Sequence, residues 1–139
     1  MTPRALRVLL VDDSDAFRRS AGRYLSHQGN CELVGTASSG NEALQKVAAL
    51  HPDLVLLGVV MPDMDGLEVA RRLRSQSSPP RVVMVTTQDD ALDRKSAREA
   101  GADGFITKSN FALQIIELLG DIAEKEEGNP EAGVEGSGE

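Results

Sequence analysis

The stretch Pro52-Asp53-Leu54-Val55-Leu56-Leu57-Gly58-Val59-Val60-Met61-Pro62-Asp63-Met64-Asp65-Gly66 decides the fold. Residues 54–60 carry no polar side chain, so the segment has no alternation of apolar and polar faces. A strand of that kind is buried on both sides, as in a parallel sheet covered by helices above and below. Asp65 followed by Glu68 then resembles an acidic version of a capping box, and Val69 and Leu73 supply the apolar side of the helix it would open.

Working outward, four more runs rich in Val, Ile and Leu occur at 6–11, 32–36, 81–86 and 104–107. Helical patterns separate them. Phe17, Ala21, Tyr24 and Leu25 share a face, with Gly29-Asn30 as the expected stop. Ser39 and Glu42 precede Ala43, Val47 and Leu50. A thinly apolar helix is predicted over 90–100, ending at Gly101 in a left-handed cap. Phe111, Ile115, Leu118, Leu119 and Ile122 form the stripe of a fifth helix and leave Leu113 and Ile116 to one side, available to a partner.

Strand and helix thus alternate five times, which predicts an α/β, doubly wound (βα)5 domain with a parallel five-stranded sheet. Two doubly wound forms fit that order: a dinucleotide-binding half-fold, and a flavodoxin-like sheet of strand order 2-1-3-4-5. The first wants a glycine-rich turn after the first strand. This chain has Asp12-Asp13-Ser14-Asp15 there, which would repel a pyrophosphate.

Charge and composition narrow the function classes. The 139 residues carry a net charge of -7, and 40% are hydrophobic, enough for one globular domain. Seven acids and one lysine lie in residues 121–139, leaving the remainder nearly neutral. Residues 1–123 are expected to form the domain, and 124–139 an acidic, glycine-rich tail or linker without order. No basic stripe interleaved with aromatics supports direct nucleic-acid binding. No run approaches the length of a membrane span and no secretory leader is evident, so a cytoplasmic location is expected. The single Cys31 reads as a packing residue.

Ligands of a 2-1-3-4-5 sheet sit beyond the carboxyl ends of the strands. Those ends are Asp12 and Asp13, Gly58 with Val59 and Val60, Thr86 with Thr87, and Lys108. Singly, each has an ordinary explanation: acids at a helix start, a β-branched strand residue, a solvated lysine. Together they suit chemistry on phosphate, with paired carboxylates for a hard cation such as Mg2+ and a hydroxyl and an ammonium for phosphoryl oxygens.

Three runs, Val8-Leu9-Leu10-Val11-Asp12-Asp13-Ser14, the stretch quoted first, and Ala100-Gly101-Ala102-Asp103-Gly104-Phe105-Ile106-Thr107-Lys108, resemble the receiver (CheY-like) domains of bacterial two-component response regulators. The resemblance covers residues 5–123. It implies that Asp12, Asp13 and the backbone carbonyl of Val60 bind Mg2+. It also implies that Thr86 follows the phosphoryl group, that Lys108 pairs with it, and that the rotamer of Phe105 reports activation. The implied partners are a sensor histidine kinase or phosphotransfer protein, an output protein meeting the fourth helix, fifth strand and fifth helix, or a second copy of the chain. The segment 29–35 resembles receivers that precede a helix-turn-helix output domain, so the chain reads as a stand-alone regulator or as a receiver ending at its linker.

One position departs from the pattern. The residue after Leu57 is the phosphate-accepting aspartate in such receivers, and here it is Gly58. Glycine offers no nucleophile, and within a strand it costs about 0.5–1 kcal/mol relative to alanine. The expected function is a receiver in phosphorelay signalling that is not an enzyme, is not phosphorylated at the usual site and acts through protein contacts. Its Mg2+ site would be weakened or lost. A small-molecule-binding pseudo-receiver using the space near Gly58 is the alternative, and a phosphohydrolase with Asp12 as nucleophile ranks behind both.

Overall fold

A computed structural model describes residues 5–87 and 92–134, with side chains as far as Glu124. Its strands are β1 (Leu6–Val11), β2 (Cys31–Ala37), β3 (Leu54–Gly58), β4 (Arg81–Thr86) and β5 (Gly104–Thr107). All pairings are parallel, in the order β2-β1-β3-β4-β5. The helices are α1 (Asp15–Ser26), α2 (Gly40–Leu50), α3 (Gly66–Arg74), α4 (Arg94–Glu99) and α5 (Phe111–Val134), the last preceded by a 3-10 turn over Lys108–Asn110. The flavodoxin-like reading holds in its strand order.

The unbroken apolar runs are explained by two cores. Leu9, Val11, Val55, Leu57, Val82 and Met84 face one side of the sheet and meet Ala43, Val47, Val69, Ala70, Leu73 and Ala97 of α2, α3 and α4. Val8, Leu10, Leu54, Leu56, Val83 and Val85 face the other and meet Ala21, Leu25, Phe111, Ile115, Leu119 and Ile122 of α1 and α5. Successive side chains of a strand point to opposite faces, so the central strands are apolar at every position where both faces are covered, residues 8–11, 54–57 and 82–85.

Helix ends follow local chemistry. Ser14, Ser39, Asp65 and Asp93 cap α1, α2, α3 and α4, each side chain accepting a backbone N–H of the first turn. Both expected boxes are present in part. Glu42 turns back to the N–H of Ser38, one residue before the cap, while Glu68 pairs with Arg72 instead of returning to Asp65. Gly101 has a φ of 102°, the left-handed geometry expected after α4.

Several boundaries differ from expectation. β3 stops at Gly58, not Val60, because the Val59 carbonyl accepts the N–H of Gly66 at 2.6 Å and turns the chain out of the sheet. α1 ends at Ser26, before Gly29-Asn30, where His27 donates its N–H to the Tyr24 carbonyl and sets Nδ1 2.7 Å from the Arg23 carbonyl. α4 begins at Arg94; residues 90 and 91 of the expected helix lie outside the described residues. The backbone of α5 stays helical past residue 123 to Val134, so no break in secondary structure marks the expected start of the tail. The extension begins with the good helix formers Glu124, Lys125, Glu126 and Glu127 and then holds Gly128, Pro130 and Gly133, which helix propensity disfavours.

α2 is held at both ends by side chains from elsewhere. At its start, Asp63 accepts the N–H groups of Gly40 and Asn41, each at 2.8 Å. At its end, Arg7 donates to the carbonyls of Leu50 at 2.6 Å and His51 at 2.8 Å, where His51 takes a left-handed conformation with φ of 49°. The bonds from Asn41 and then Gly40 hold the Asp63 carboxyl below the ordinary carboxylate range. A lowered folded-state value gives stability that is complete above the unfolded pKa and is lost as pH falls through the folded one. Asp63→Ala is therefore expected to lower the urea midpoint at neutral pH. The gap to the parent should close on acidification below about pH 4; a gap unchanged by pH would remove Asp63 from the acid-sensitive contacts.

Candidate functional site at the carboxyl edge

The sheet register brings the expected residues to one edge. Val11 pairs with Leu57, Gly58 with Val85, and Thr86 with Thr107, so Asp12, Gly58, Thr86 and Lys108 follow one another along the carboxyl ends of β1, β3, β4 and β5. Asp12 is 2% exposed and Thr86 3%, the two buried polar residues of the described chain. Asp13 is exposed, and Val60 is 63% exposed on the loop after β3.

Asp12 is fixed through backbone and side chain alike. Its N–H donates to the Ala37 carbonyl at 3.0 Å and its carbonyl accepts from Arg18 at 2.6 Å. Oδ1 accepts the N–H of Ser14 at 2.9 Å. The Lys108 ammonium lies 3.1 Å from Oδ1 and 3.0 Å from Oδ2, astride the carboxylate. On its other side that ammonium stands 4.6 Å from the centre of the Phe17 ring, within the range of a cation–π contact. Phe17 in turn meets Phe111 edge to face at 5.4 Å, and Tyr24 meets Phe111 at 6.4 Å.

The space in which a side chain at position 58 would begin is occupied. A Cβ built on Gly58 would lie 2.7 Å from Asp12 Oδ2 and 3.3 Å from Asp12 Cγ, too close for either to stay where it is. The Asp12 carboxylate thus stands in the space that any residue larger than glycine would need at position 58. Thr86 Oγ1 is turned to the Ile106 carbonyl at 3.5 Å, a weak bond at best. Phe105 is half-buried against the α2–α3–α4 core, with the Arg94 guanidinium 5.0 Å above its ring.

Other chemistry-bearing residues have structural partners. Ser14, Asp63 and Asp65 each accept backbone N–H groups at helix starts. Cys31 is buried, which pushes its thiol pKa up, and it lies 3.4 Å from the Leu25 carbonyl. Among the described residues no three His, Cys, Asp or Glu side chains are grouped so as to hold a metal ion. No described helix is long and apolar enough to cross a membrane.

Two contacts were not foreseen from sequence. Phe17 was placed on the buried stripe of α1, and helical periodicity cannot reveal that its ring also faces Lys108. Arg18 lies three residues after Asp15, an ordinary ion-pair spacing on a helix, yet its other guanidinium nitrogen reaches the carbonyl of Asp12.

The family model of the response regulator receiver domain matches residues 8–119. A protein-glutamate methylesterase/protein-glutamine glutaminase of Geobacillus kaustophilus is 37% identical over 134 residues, covering 91% of this chain and 38% of that protein. The transcriptional regulatory protein NarL of Mycobacterium tuberculosis is 36% identical over 121 residues, covering 87% of this chain and 56% of its own length. The chain therefore spans between about two fifths and somewhat over half of the length of these relatives. Among solved structures, the response regulator domain of Thermotoga maritima CheB superposes with a TM-score of 0.77 at 29% identity, covering 85% of this chain and 96% of that domain. The signal receiver domain of Mycobacterium tuberculosis NarL gives 0.74 at 34%, covering 84% and 98%.

Proposed function

Because the chain belongs to the response regulator receiver domain family, we propose that it is a receiver in two-component signalling that takes no phosphate at position 58 and acts through protein contacts. The observation that carries this reading is Gly58 at the end of β3, with the Asp12 carboxylate lying where a side chain would begin. Phosphoryl transfer to a receiver needs a carboxylate in line with the donor, and glycine has none. The side chains of Ser14, Asp63 and Asp65 are engaged at helix starts and make poor substitutes.

The contacts through which it would act lie away from the pocket. Leu113 is 71% exposed and Ile116 50%, three residues apart on α5, and both leave apolar area in water. A sensor kinase or phosphotransfer protein, an output protein meeting α4, β5 and α5, or a second copy of the chain are the partners this reading allows. Space for a small effector beside Gly58 is reduced by Asp12 itself, which counts against the pseudo-receiver alternative.

Intact-protein mass spectrometry after treatment with a small phosphodonor and Mg2+ tests the proposal. The parent chain should show no stoichiometric phosphate adduct, and Gly58→Asp should gain one. A stoichiometric adduct on the parent would end the reading.

A further inference from the structure

We infer that the ammonium of Lys108 is the resident cation of this pocket, in place of a divalent metal. The inference is independent of phosphorylation, since it would hold even if another side chain accepted phosphate.

The donor set does not fit a resident Mg2+. A hard divalent cation takes one or two carboxylates with carbonyls and water in near-octahedral geometry. Here the one buried carboxylate of the described residues, Asp12, already bonds Ser14 N–H and Lys108 Nζ through Oδ1, and Lys108 again through Oδ2. Position 58 adds no side-chain oxygen, and Asp13 is exposed. An incoming cation would have to displace the ammonium from Asp12 and then share the site with it.

The ammonium is held from two sides. The carboxylate binds it at 3.0 and 3.1 Å, and the face of Phe17 lies opposite at 4.6 Å. Phe17 is itself braced by Phe111, and Tyr24 closes the same cluster with its hydroxyl donating to the Ala112 carbonyl at 3.3 Å. The charge at the pocket is thereby built into the contact between α1 and α5. A charge supplied by the chain cannot dissociate, so the pocket is expected to be indifferent to metal concentration. Gly58 is the enabling position, because a side chain there would push Asp12 Oδ2 out of the place where Lys108 meets it.

Mn2+ as a paramagnetic probe, followed by amide NMR of the parent and of Lys108→Met, reads this directly. In the parent, the Asp12, Asp13 and Ser14 signals should broaden no more than exposed acids elsewhere. In Lys108→Met the same signals should broaden at a Mn2+ concentration at least ~10-fold lower, since removing a like charge and freeing a carboxylate favours a cation. Equal broadening in both proteins, or selective broadening at this site in the parent, overturns the inference. Should Lys108→Met fail to fold, the side-chain ammonium signal of Lys108 in the parent serves alone. It should be protected from exchange and unmoved by millimolar Mg2+, and a shift on adding Mg2+ overturns the inference. Neither reading depends on phosphate transfer, so their outcome is separate from that of the mass measurement.

Discussion

Gly66→Ala is expected to be among the most damaging single-methyl additions to this chain, lowering stability by about 3 kcal/mol. A Cβ at position 66 would come 2.1 Å from the carbonyl oxygen of Gly58 and 3.1 Å from its carbon, and it would also lie 2.9 Å from Met84 Cε. The methionine end can move; the backbone of β3 cannot, because Gly58 is paired with Val85 in the centre of the sheet. Relief would have to come from the bond between Gly66 N–H and the Val59 carbonyl, which closes the loop after β3. Overpacking against side chains costs about 1–3 kcal/mol, and a fixed backbone obstacle places this case at the upper end. Equilibrium urea unfolding checks it: a midpoint within error of the parent would mean that the close approach is not needed. Against a total of about 5–15 kcal/mol for a domain, the expected loss is roughly a fifth to three fifths of the stability.

Gly58→Asp should destabilise the domain in chelator by about 1–3 kcal/mol and make its stability respond to Mg2+. Two causes act together. The first is steric, since Cβ alone meets Asp12 Oδ2 at 2.7 Å and must turn that carboxylate away from Lys108. The second is electrostatic: two carboxylates about 4 Å apart repel by about 4 kcal/mol at an effective dielectric near 20, before screening and a shared Lys108 reduce it. Gly58→Ala separates the causes, because it keeps the steric conflict without the charge. Urea melts of the three proteins with and without Mg2+ should place Gly58→Asp lowest in chelator and give it the only marked recovery with metal. Equal midpoints for parent and Gly58→Asp in chelator would refute both causes.

The fold was legible because its determinants are local or periodic. Continuous apolar runs imply two covered faces, and Ser39, Asp65 and Gly101 act on their nearest neighbours. The shared edge of Asp12, Thr86 and Lys108 was legible too, because in a parallel sheet the end of each strand names its neighbours. What lay beyond reach were contacts set by side-chain direction in three dimensions. That Lys108 would sit between a carboxylate and the ring of Phe17 depends on the angle at which α1 crosses the sheet. The clamp of Asp63 on α2 links residues more than twenty positions apart. The end of β3 was misplaced because Val59 and Val60 are strand-like by composition, while a single hydrogen bond to Gly66 removes them from the sheet.

That loop also bears on what holds the rim of the pocket in place. Residues 59–65 are closed at their base by the Gly66 bond and tied to α2 through Asp63, and neither contact involves the side chain at position 58. The rim of the pocket is therefore supported from outside, as an arch is by its piers, and it does not rest on whatever occupies its centre. Chemistry and architecture are separable here. On the proposed reading, glycine at position 58 removes the acceptor while both of these supports stay in place.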